Sequence, residues 1–432
     1  MSITIVLEEN KFQTCRAPLG VLGYCITQSG LLSSFWEQLE FSSKAYQHTP
    51  TEKLQDVLVG ILAGCRSLAQ INTRIRPDKV LAQAWQRHQF AEQSNLSRTL
   101  DNLEQKHVEQ LRAGQLTLLK TYSQLLHHDW RQLLLLDIDP TSLLASKHAE
   151  GSRKGWVSGK RNQYCRHVLR FMVAGYHETL LSVVFPGDRH GFEYFKPAMQ
   201  ILLQHWPWPR TQRQQIILRT DAGLGTDANV SYSLWLGFHI LMKAYSGRRT
   251  QAWQKKLSDD DWIADQQRKH RWMAPAPKKL RLGRRMDAYL LRWRNQKQQL
   301  QHATLLSTLP YAPFVLWNLY DGRGSSEIEF KADKSGLKLH LRRKQSLTAM
   351  EVWIVLTDLA HNLIAWMSRW AFTDTIFASF GPQRIVEDLF TIPGQLWFED
   401  GRLAKVALDE NHPYAKNMQV CLHNLLKTFE LA

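Results

Sequence analysis

The chain has 432 residues, of which 44% are hydrophobic and 10% aromatic, so it is long enough to fold into two or three domains with packed cores. Its formal net charge of +16 makes a polyanion the expected partner. The five cysteines are dispersed and form no CxxC pair, which argues against a disulfide framework and a cysteine zinc site and favours a reducing compartment.

Neither a signal peptide nor a membrane span is expected. The N-terminus "MSITIVLEEN" reaches two glutamates before any apolar stretch of useful length. The longest apolar candidate, "MEVWIVLTDLAHNLIAWMSRW", is interrupted by Glu351, Asp358, His361 and Asn362. We therefore expect a cytoplasmic protein that associates with the nucleoid.

Residues 1–128 predict a helical N-terminal domain, because apolar residues recur there at spacings of three and four. Within it, "QSNLSRTLDNLEQ" has Ser94 as a plausible N-cap. Asn95, Arg98 and Asn102 would lie on one exposed face, as in the second helix of a helix-turn-helix. We expect this domain to bind DNA, although the same pattern also occurs in plain helical bundles.

Residues 129–245 have the pattern of an α/β fold. "LLLLDIDPTSLL" predicts a buried central strand with acids at its C-terminal end, and "RHVLRFMVAGYHETLLSVVFPGD" predicts two strands around a turn at Gly175. In "QIILRTDAGLGTDANV" a third strand ends at Asp221, and a glycine-containing loop leads into a helix near residues 229–236. A further strand is predicted around "FHILMKAY".

Residues 246–305 predict a basic insertion. Residues 241–300 hold sixteen Lys and Arg against five Asp, together with Trp253, Trp262, Trp272 and Trp293. Cations interleaved with large aromatics suit phosphate contact and base stacking. We predict that this insertion lies against DNA, apart from the central sheet, with Arg284 and Arg285 on phosphates. An ordinary basic surface with core tryptophans remains the alternative.

Residues 306–432 begin with a pattern of four polar residues in "YDGRGSSEIEFKADK". The four residues are Tyr320, Arg323, Glu327 and Lys334. On a single helix they would lie within a stripe about 60° wide, whereas Glu329 would lie on the opposite side. Glycines 322 and 324 weaken the first turn, so the helix proper can begin at residue 325 or 326. A solvated helix face remains the alternative. An amphipathic helix is predicted from about residue 347 to 369.

Two strand-end aspartates and one glutamate on a selected helix face suggest a shared carboxylate site. These are Asp139 (or Asp137), Asp221 and Glu327. Three carboxylates repel one another unless a cation neutralises them, and oxygen-rich sites suit Mg²⁺ or Mn²⁺. Two such ions about 4 Å apart can cleave a phosphodiester, so the basic chain is predicted to cut or join nucleic acid.

The order and spacing of these residues resemble the DDE transposases of bacterial insertion sequences, in the group named for its Tyr-Arg-Glu-Lys signature. "LLDIDPTSLL", "GYHETLLSVVFPGD" and "RTDAGLGTDANVSY" look like the blocks around that group's two aspartates, and every signature spacing is met. The similarity covers about residues 130–345. It does not extend to the N-terminal 125 residues or to the tail after residue 370.

The resemblance implies an α/β fold in which a ribonuclease-H-like core (129–245 and part of 306–432) carries an inserted, mostly β domain. It implies that Asp139, Asp221 and Glu327 bind Mg²⁺ or Mn²⁺, and that Tyr320, Arg323 and Lys334 contact DNA. Asp139 is preferred because "DPTSL" matches the family's aspartate followed by threonine and serine, while Asp137 stays open. In relatives that form a DNA hairpin, an insertion tryptophan stacks on a flipped base.

Three further expectations follow. Double-stranded DNA is the expected partner, at terminal inverted repeats and target sites, and the protein should form a homodimer on DNA. A non-catalytic DNA-binding relative is the first alternative. A haloacid-dehalogenase-type phosphatase using Asp137 and Asp139 is the second, although Asp221 and Asp227 are too far apart for its second acidic motif.

Overall fold

The computed structural model describes residues 11–41, 47–157, 159–283 and 286–431, without the side chains of residues 325–330. The chain divides into two compact units. The split unit consists of Met1–Ser123 and Glu329–Ala432, and the continuous unit is Gln124–Ile328. Arg284 and Arg285, the predicted phosphate contacts of the insertion, lie outside the described residues.

The N-terminal part of the split unit is helical, as predicted. It contains β1 (Gln13–Thr14), α1 (Ala17–Gln28), α2 (Ser33–Trp36), α3 (Pro50–Leu62), α4 (Leu68–Arg74), α5 (Lys79–Ala84), α6 (Gln93–Asp101) and α7 (Gln105–Tyr122). Helix α3 begins with a capping box between Thr49 and Glu52. Helix α6 begins one residue before Ser94, with Glu92 at its N-cap, so the prediction of Ser94 as N-cap is wrong.

The continuous unit is built on strands at the predicted apolar runs, including the pair around Gly175. Its elements are β2 (Leu134–Leu144), β3 (Arg153–Val157), β4 (Lys160–Val173), β5 (Glu178–Pro186), α8 (Phe195–His205), α9 (Arg210–Arg213), β6 (Ile216–Thr220), α10 (Asp227–Leu236), β7 (His239–Lys243), α11 (Gly247–Gln254), β8 (Ile263–Ala264), β9 (Arg271–Pro275), β10 (Asp287–Arg294), β11 (Leu300–Ser307) and α12 (Pro313–Asp321).

The C-terminal part of the chain returns to helices and a small hairpin. It contains α13 (Arg323–Ser335), which begins in the continuous unit, then α14 (Leu347–Met367), α15 (Pro382–Arg384), β12 (Gly394–Glu399), β13 (Arg402–Leu408) and α16 (Ala415–Thr428). In the split unit, β1, β12 and β13 form a three-stranded sheet.

One ten-stranded mixed sheet organises the continuous unit. Its order is β3-β4-β2-β6-β7-β11-β10-β9-β8, and β5 pairs with β4. Strands β2, β6 and β7 run parallel to one another, while β4 is antiparallel to both β2 and β5. Every residue of β6 is buried, which explains why its sequence is a continuous apolar run interrupted only near its end.

The insertion is part of this sheet. Strand β11 pairs antiparallel with β7, where Leu305 faces Lys243, and β10, β9 and β8 continue outward from β11. The prediction that residues 246–305 lie apart from the central sheet is therefore wrong. The physical reason is that the backbone groups on the outer side of β7 need hydrogen-bond partners, and β11 supplies them.

Helix α12 packs on this sheet through an apolar cluster. Leu316, Trp317 and Tyr320 of the helix lie among buried residues of β6, β7, β9, β10 and β11 such as Leu241 and Leu305. The insertion strands thus form part of the surface that holds α12 in place.

The predicted amphipathic helix is α14. The apolar positions at spacings of three and four are all buried in the split unit; they are Trp353, Leu356, Leu359, Leu363 and Trp366. The helical segment Leu347–Phe372 is long and apolar enough to cross a membrane by length and composition, but 89% of its most apolar window is buried. Burial of this kind is typical of a core helix.

Candidate active site

The two predicted aspartates lie at the same level of the sheet, but the prediction that Asp139 ends a strand is wrong, because β2 continues past it to Leu144 and pairs there with β4. In the parallel pairing of β2 with β6, Asp137 faces Arg219 and Ile138 faces Thr220. Asp139 and Asp221 are the next residues along these two strands. Neighbouring strands are about 4.8 Å apart, and paired residues point to the same face. The fold therefore brings Asp139 and Asp221 together at one edge of the central sheet.

Asp137 is engaged in a buried ion pair. Its Oδ1 accepts from Nε of Arg219 at 2.6 Å, and its Oδ2 accepts from Nη2 at 2.8 Å. Both side chains are only 2% exposed. Nη1 of the same arginine donates to the Leu319 carbonyl of α12 at 2.6 Å. This arrangement gives Asp137 a structural role, one that links β2, β6 and α12.

Asp139 is more accessible than Asp137. Its side chain is 24% exposed, and its Oδ1 lies 3.5 Å from Nη1 of Arg323 at the start of α13. The structure thus brings Arg323, a predicted phosphate contact, directly to one of the predicted carboxylates. A guanidinium at this distance offsets part of the negative charge at the strand ends.

The loop after β6 depends on two close approaches. A Cβ on Gly225 would lie 1.9 Å from the Lys243 carbonyl oxygen, so a larger residue cannot occupy this turn without a shift of the backbone. A Cβ on Gly223 would lie 3.1 Å from Oδ1 of Asp221. The Thr226 hydroxyl then accepts from the backbone N–H of Asn229 at 3.2 Å and caps α10. The turn therefore fixes the backbone that follows Asp221.

The predicted stripe spans two helices rather than one. Helix α12 ends at Asp321 and α13 begins at Arg323, so Tyr320 and Arg323 flank the break at Gly322. Tyr320 is only 3% exposed. Two cations lie close to its ring, with Nζ of Lys243 at 4.8 Å and Cζ of Arg323 at 5.5 Å from the ring centroid. Lys243 was missed by the sequence analysis, and Tyr320 braces Arg323 from within the core.

Helix α12 is also anchored by the insertion strand β9. Arg271 donates to the Asn318 side chain at 3.2 Å, pairs with Asp321 at 3.3 Å, and lies 3.9 Å from the centroid of Trp317. Burial lowers the pKa of the Arg271 guanidinium, against the opposing effect of Asp321. These contacts hold the end of α12, and with it Tyr320, against the sheet.

The insertion tryptophans are engaged with protein groups. The Arg292 guanidinium lies 4.4 Å from the centroid of Trp262 and 5.0 Å from that of Trp272. Trp253 is 7% exposed, and Trp293 packs edge-on against Trp317. The cations and tryptophans that alternate in the insertion sequence therefore contact one another within the continuous unit.

Glu327 lies on α13, but its side chain is outside the described part of the chain. Lys334 lies on the same helix, in the split unit, and is partly buried. Their predicted roles stay predictions. Among the side chains that the structure describes, no three His, Cys, Asp or Glu residues come together as a metal site.

Comparisons with known proteins cover most of the chain. A family model described as transposase DDE domain group 1 matches residues 21–429. Among solved structures, a cryo-EM structure of the piggyBac transposase synaptic complex with hairpin DNA is similar, with a TM-score of 0.45 and 11% identity over 88% of this chain and 82% of that chain. A search of curated proteins finds no match.

Proposed function

Because the chain belongs to the transposase DDE domain group 1 family, it is a DNA-cleaving and DNA-joining enzyme, and we propose that it cuts the ends of a bacterial insertion sequence and transfers them into target DNA. The observation that carries this proposal is the parallel register of β2 and β6, which places Asp139, in the middle of β2, level with Asp221, the residue after β6. Glu327, on the helix that begins with Arg323, is the third carboxylate of the proposed site.

The side chains of Asp139 and Asp221 fit a divalent metal. Asp139 and Asp221 supply hard carboxylate oxygens, which Mg²⁺ and Mn²⁺ prefer. The Arg323 guanidinium lies close to Asp139, which shows that a positive charge is favourable beside this carboxylate. Asp139, Asp221 and Glu327 would hold the ions, which when bound activate water and stabilise the leaving oxygen of a phosphodiester.

The surrounding residues orient the strand ends and the DNA. The Asp137–Arg219 pair links β2, β6 and α12, so Asp139 and Asp221 stay side by side. Arg323 can exchange its contact with Asp139 for a phosphate oxygen of the bound strand, because a guanidinium binds either anion through the same N–H groups. Lys334, Arg284 and Arg285 are proposed to contact the DNA backbone, while Tyr320 supports Arg323.

The strand arrangement supports the ribonuclease-H-like core that the sequence resemblance implies. Strands β5, β4, β2, β6 and β7 lie side by side in that order, and β4 alone among them runs in the opposite direction. Asp139 and Asp221 follow the last residues of the parallel β2–β6 pairing, on its carboxyl-terminal side, which is where α/β sheets place their sites.

Neither alternative function is favoured by an observation. A phosphatase of the haloacid-dehalogenase type would need Asp137 as its nucleophile, yet both carboxylate oxygens of Asp137 accept hydrogen bonds from Arg219 in a buried pair. A purely DNA-binding relative would have no use for two aligned strand-end carboxylates. Hydrolysis of p-nitrophenyl phosphate without DNA would revive the first alternative.

Assembly and location extend the proposal. Two element ends must be cut and joined together, so we propose that two protomers assemble on paired ends and act there as a homodimer. The net charge of +16 supports DNA as the surface that holds such a complex together. We propose a cytoplasmic, nucleoid-associated location in a bacterial cell.

The test is cleavage of a linear duplex that carries the inverted repeats flanking the coding region, with Mg²⁺ present. Asp139→Asn and Asp221→Asn should each abolish cleavage and leave duplex binding in EDTA unchanged, because each removes one metal ligand. Asp227→Asn is the matched control, since Asp227 is an exposed acid paired with Arg249 a short distance along the same segment. Cleavage by Asp139→Asn at the wild-type rate would refute the assignment.

A further inference from the structure

The β3–β4 hairpin projects beyond Asp139 as a two-stranded extension of the sheet. Strand β4 pairs with β2 at residues 165–173, whereas in the described part of the chain residues 160–163 pair with β3 alone. Arg170 of β4 lies opposite Asp139. At about 3.3 Å per residue, the start of β4 therefore lies roughly 30 Å beyond Asp139 along the strand direction.

This hairpin and the loop before it carry a run of exposed cations. Residues 147–161 hold five Lys and Arg against one acid, Glu150. The five cations are all exposed; they are Lys147, Arg153, Lys154, Lys160 and Arg161. Among the residues that the structure describes, none of the five forms an ion pair, whereas other exposed cations such as Arg268 do. We call residues 147–157 and 159–163 the cationic arm, whose positive charge calls for an anionic partner.

Aromatic rings orient two of these cations without neutralising them. The Arg161 guanidinium lies 5.3 Å from the ring centroid of Trp156, and Nζ of Lys154 lies 5.8 Å from that of Tyr164. An aromatic face attracts a cation through its quadrupole but carries no net charge. Both cations therefore keep their charge, and their side chains lose less freedom when they bind an anion.

The base of the cationic arm is fixed to its neighbours. The Ser142 hydroxyl of β2 donates to the Trp156 carbonyl at 3.1 Å, and the Gly187 backbone N–H donates to the Gly151 carbonyl at 3.0 Å. A Cβ on Gly155 would lie 2.8 Å from the Gly187 carbonyl oxygen, so the arm packs against the loop after β5 with no space for a side chain. The cationic surface is therefore already formed before a partner binds.

An open cleft of about 730 Å³ joins the cationic arm to the proposed catalytic site. Its lining includes Lys154 and Arg161 of the arm, together with Pro140, the residue after Asp139. A polyanion that passes Asp139 can therefore follow one continuous surface to both cations. The roles proposed above for the carboxylates and for Arg323 do not use these cations.

The position of the arm selects against a second copy of this chain as its partner. Strand β3 is the last strand at its edge of the ten-stranded sheet, where outer backbone groups can pair with another strand. A second copy would bring the same cations, Arg153 and Lys154, to that edge, and like charges repel. Duplex DNA, in contrast, carries one negative charge per about 1.7 Å of its axis, so it offers phosphates along the whole length of the arm.

We propose that the cationic arm holds the target duplex during strand transfer, through contacts of its Lys and Arg side chains with phosphates. The proposal rests on the proposed function and adds the element that binds the target. Phosphate contacts position a duplex but carry no sequence information. They suit a target whose sequence differs from one event to the next, whereas terminal repeats of fixed sequence are read at base edges.

The test separates the two steps of the reaction. Strand transfer is measured with a precleaved end duplex at increasing concentrations of a plasmid target, and end cleavage with a duplex that retains flanking DNA. Lys160→Gln/Arg161→Gln should raise the target concentration for half-maximal transfer at 0.1 M salt by at least about eightfold. A log-log salt slope of about 0.9 per phosphate contact corresponds to roughly this factor between 1 M and 0.1 M salt. End cleavage should proceed as in the wild type.

Two further variants make the result specific. Lys160→Arg/Arg161→Lys should transfer as the wild type does, because a phosphate contact needs the charge at each position. Lys196→Gln/Arg210→Gln is the matched control, since these two exposed cations of α8 and α9 do not line the cleft. It should leave both steps unchanged. Thermal melting of each variant checks that the fold is retained.

Three results would overturn the proposal: unchanged strand transfer in Lys160→Gln/Arg161→Gln, the same loss in Lys196→Gln/Arg210→Gln, or an equal loss of end cleavage, which would assign the arm to the donor duplex. Binding of poly-glutamate that depends on Lys160 and Arg161, without an effect on transfer, would overturn it in favour of an acidic protein partner. Failure of the wild type to cleave end duplexes would count against the proposed function itself, whereas normal cleavage and transfer in every variant would count only against the arm.

Discussion

Replacement of Asp137 by asparagine should destabilise the continuous unit without removing a proposed metal ligand. The side chains of Asp137 and Arg219 are each 2% exposed and share two hydrogen bonds, at 2.6 and 2.8 Å. Asparagine keeps the size of the side chain and one acceptor oxygen, but it removes the negative charge. The Arg219 cation then stays buried with only neutral acceptors, among them the Leu319 carbonyl.

The magnitude follows from this geometry. Removing one partner of a buried ion pair typically costs about 3–5 kcal/mol, because the remaining charge is left uncompensated. The retained amide oxygen and the Leu319 carbonyl place Asp137→Asn near the lower end, at about 3 kcal/mol. For a unit of the size of Gln124–Ile328 each kcal/mol lowers Tm by roughly 2–4 °C, so we expect a decrease of roughly 6–12 °C.

The assay is differential scanning calorimetry of the full chain, with Asp139→Asn as the matched control. Asp139 is 24% exposed and contacts Arg323 at 3.5 Å, so its substitution should cost less than about 1 kcal/mol. The double variant Asp137→Leu/Arg219→Met should recover part of the stability, because no buried charge remains while the Leu319 carbonyl loses its donor. If Asp139→Asn lowers Tm more than Asp137→Asn does, the structural assignment of Asp137 is refuted.

The remaining expected outcomes concern a turn, a buried acid and the assembly. Gly225→Ala should lower Tm and reduce cleavage, because the added Cβ would lie 1.9 Å from the Lys243 carbonyl oxygen, whereas Gly247→Ala meets no atom within 4 Å and should melt as the wild type does. Burial raises the pKa of Asp56 to about 6, against the opposing effect of Arg87. The folded state therefore binds this proton more tightly than the unfolded chain does, and the free energy of unfolding should fall as pH rises from about 4 to 6. A melting series over that range should show a smaller slope for Asp56→Asn, and an equal slope would contradict this. Light scattering should find two chains on saturating end DNA; one chain in a complex that still cleaves would contradict the paired-end proposal.

Local sequence patterns predicted much of the continuous unit and one helix of the split unit. The apolar runs that became β2 and β6, the strand pair around Gly175, and the burial of α14 all follow from side-chain periodicity and turn chemistry, which depend on residues close in sequence. The same reasoning correctly places Asp221 directly after a strand, whereas it ends the first strand too early, because β2 continues past Asp139 to Leu144. Each of these features needs information from fewer than about 25 neighbouring residues, the upper range of a single helix or strand pair.

Long-range pairing explains where prediction failed. The residues of β11 indicate a strand, but nothing local specifies that Leu305 pairs with Lys243 of β7, and so the insertion was wrongly separated from the sheet. The sequence indicates the break between α12 and α13 only through the low helix propensity of Gly322. Its position is set by tertiary contacts, among them the Arg271 bonds to Asn318 and Asp321 that fix the end of α12.

The choice between Asp137 and Asp139 shows what register adds to a motif. The two aspartates are two residues apart on one strand, so both point to the same face and alternation cannot separate them. Strand β6 distinguishes them, because it presents Arg219 beside Asp137 and ends at Thr220 beside Ile138, so that Asp221 follows at the level of Asp139. Opposite charges in register form a buried pair, while like charges in register repel and need a cation. The parallel pairing of β2 with β6 therefore gives Asp137 a buried partner in Arg219 and leaves Asp139 as the proposed metal ligand.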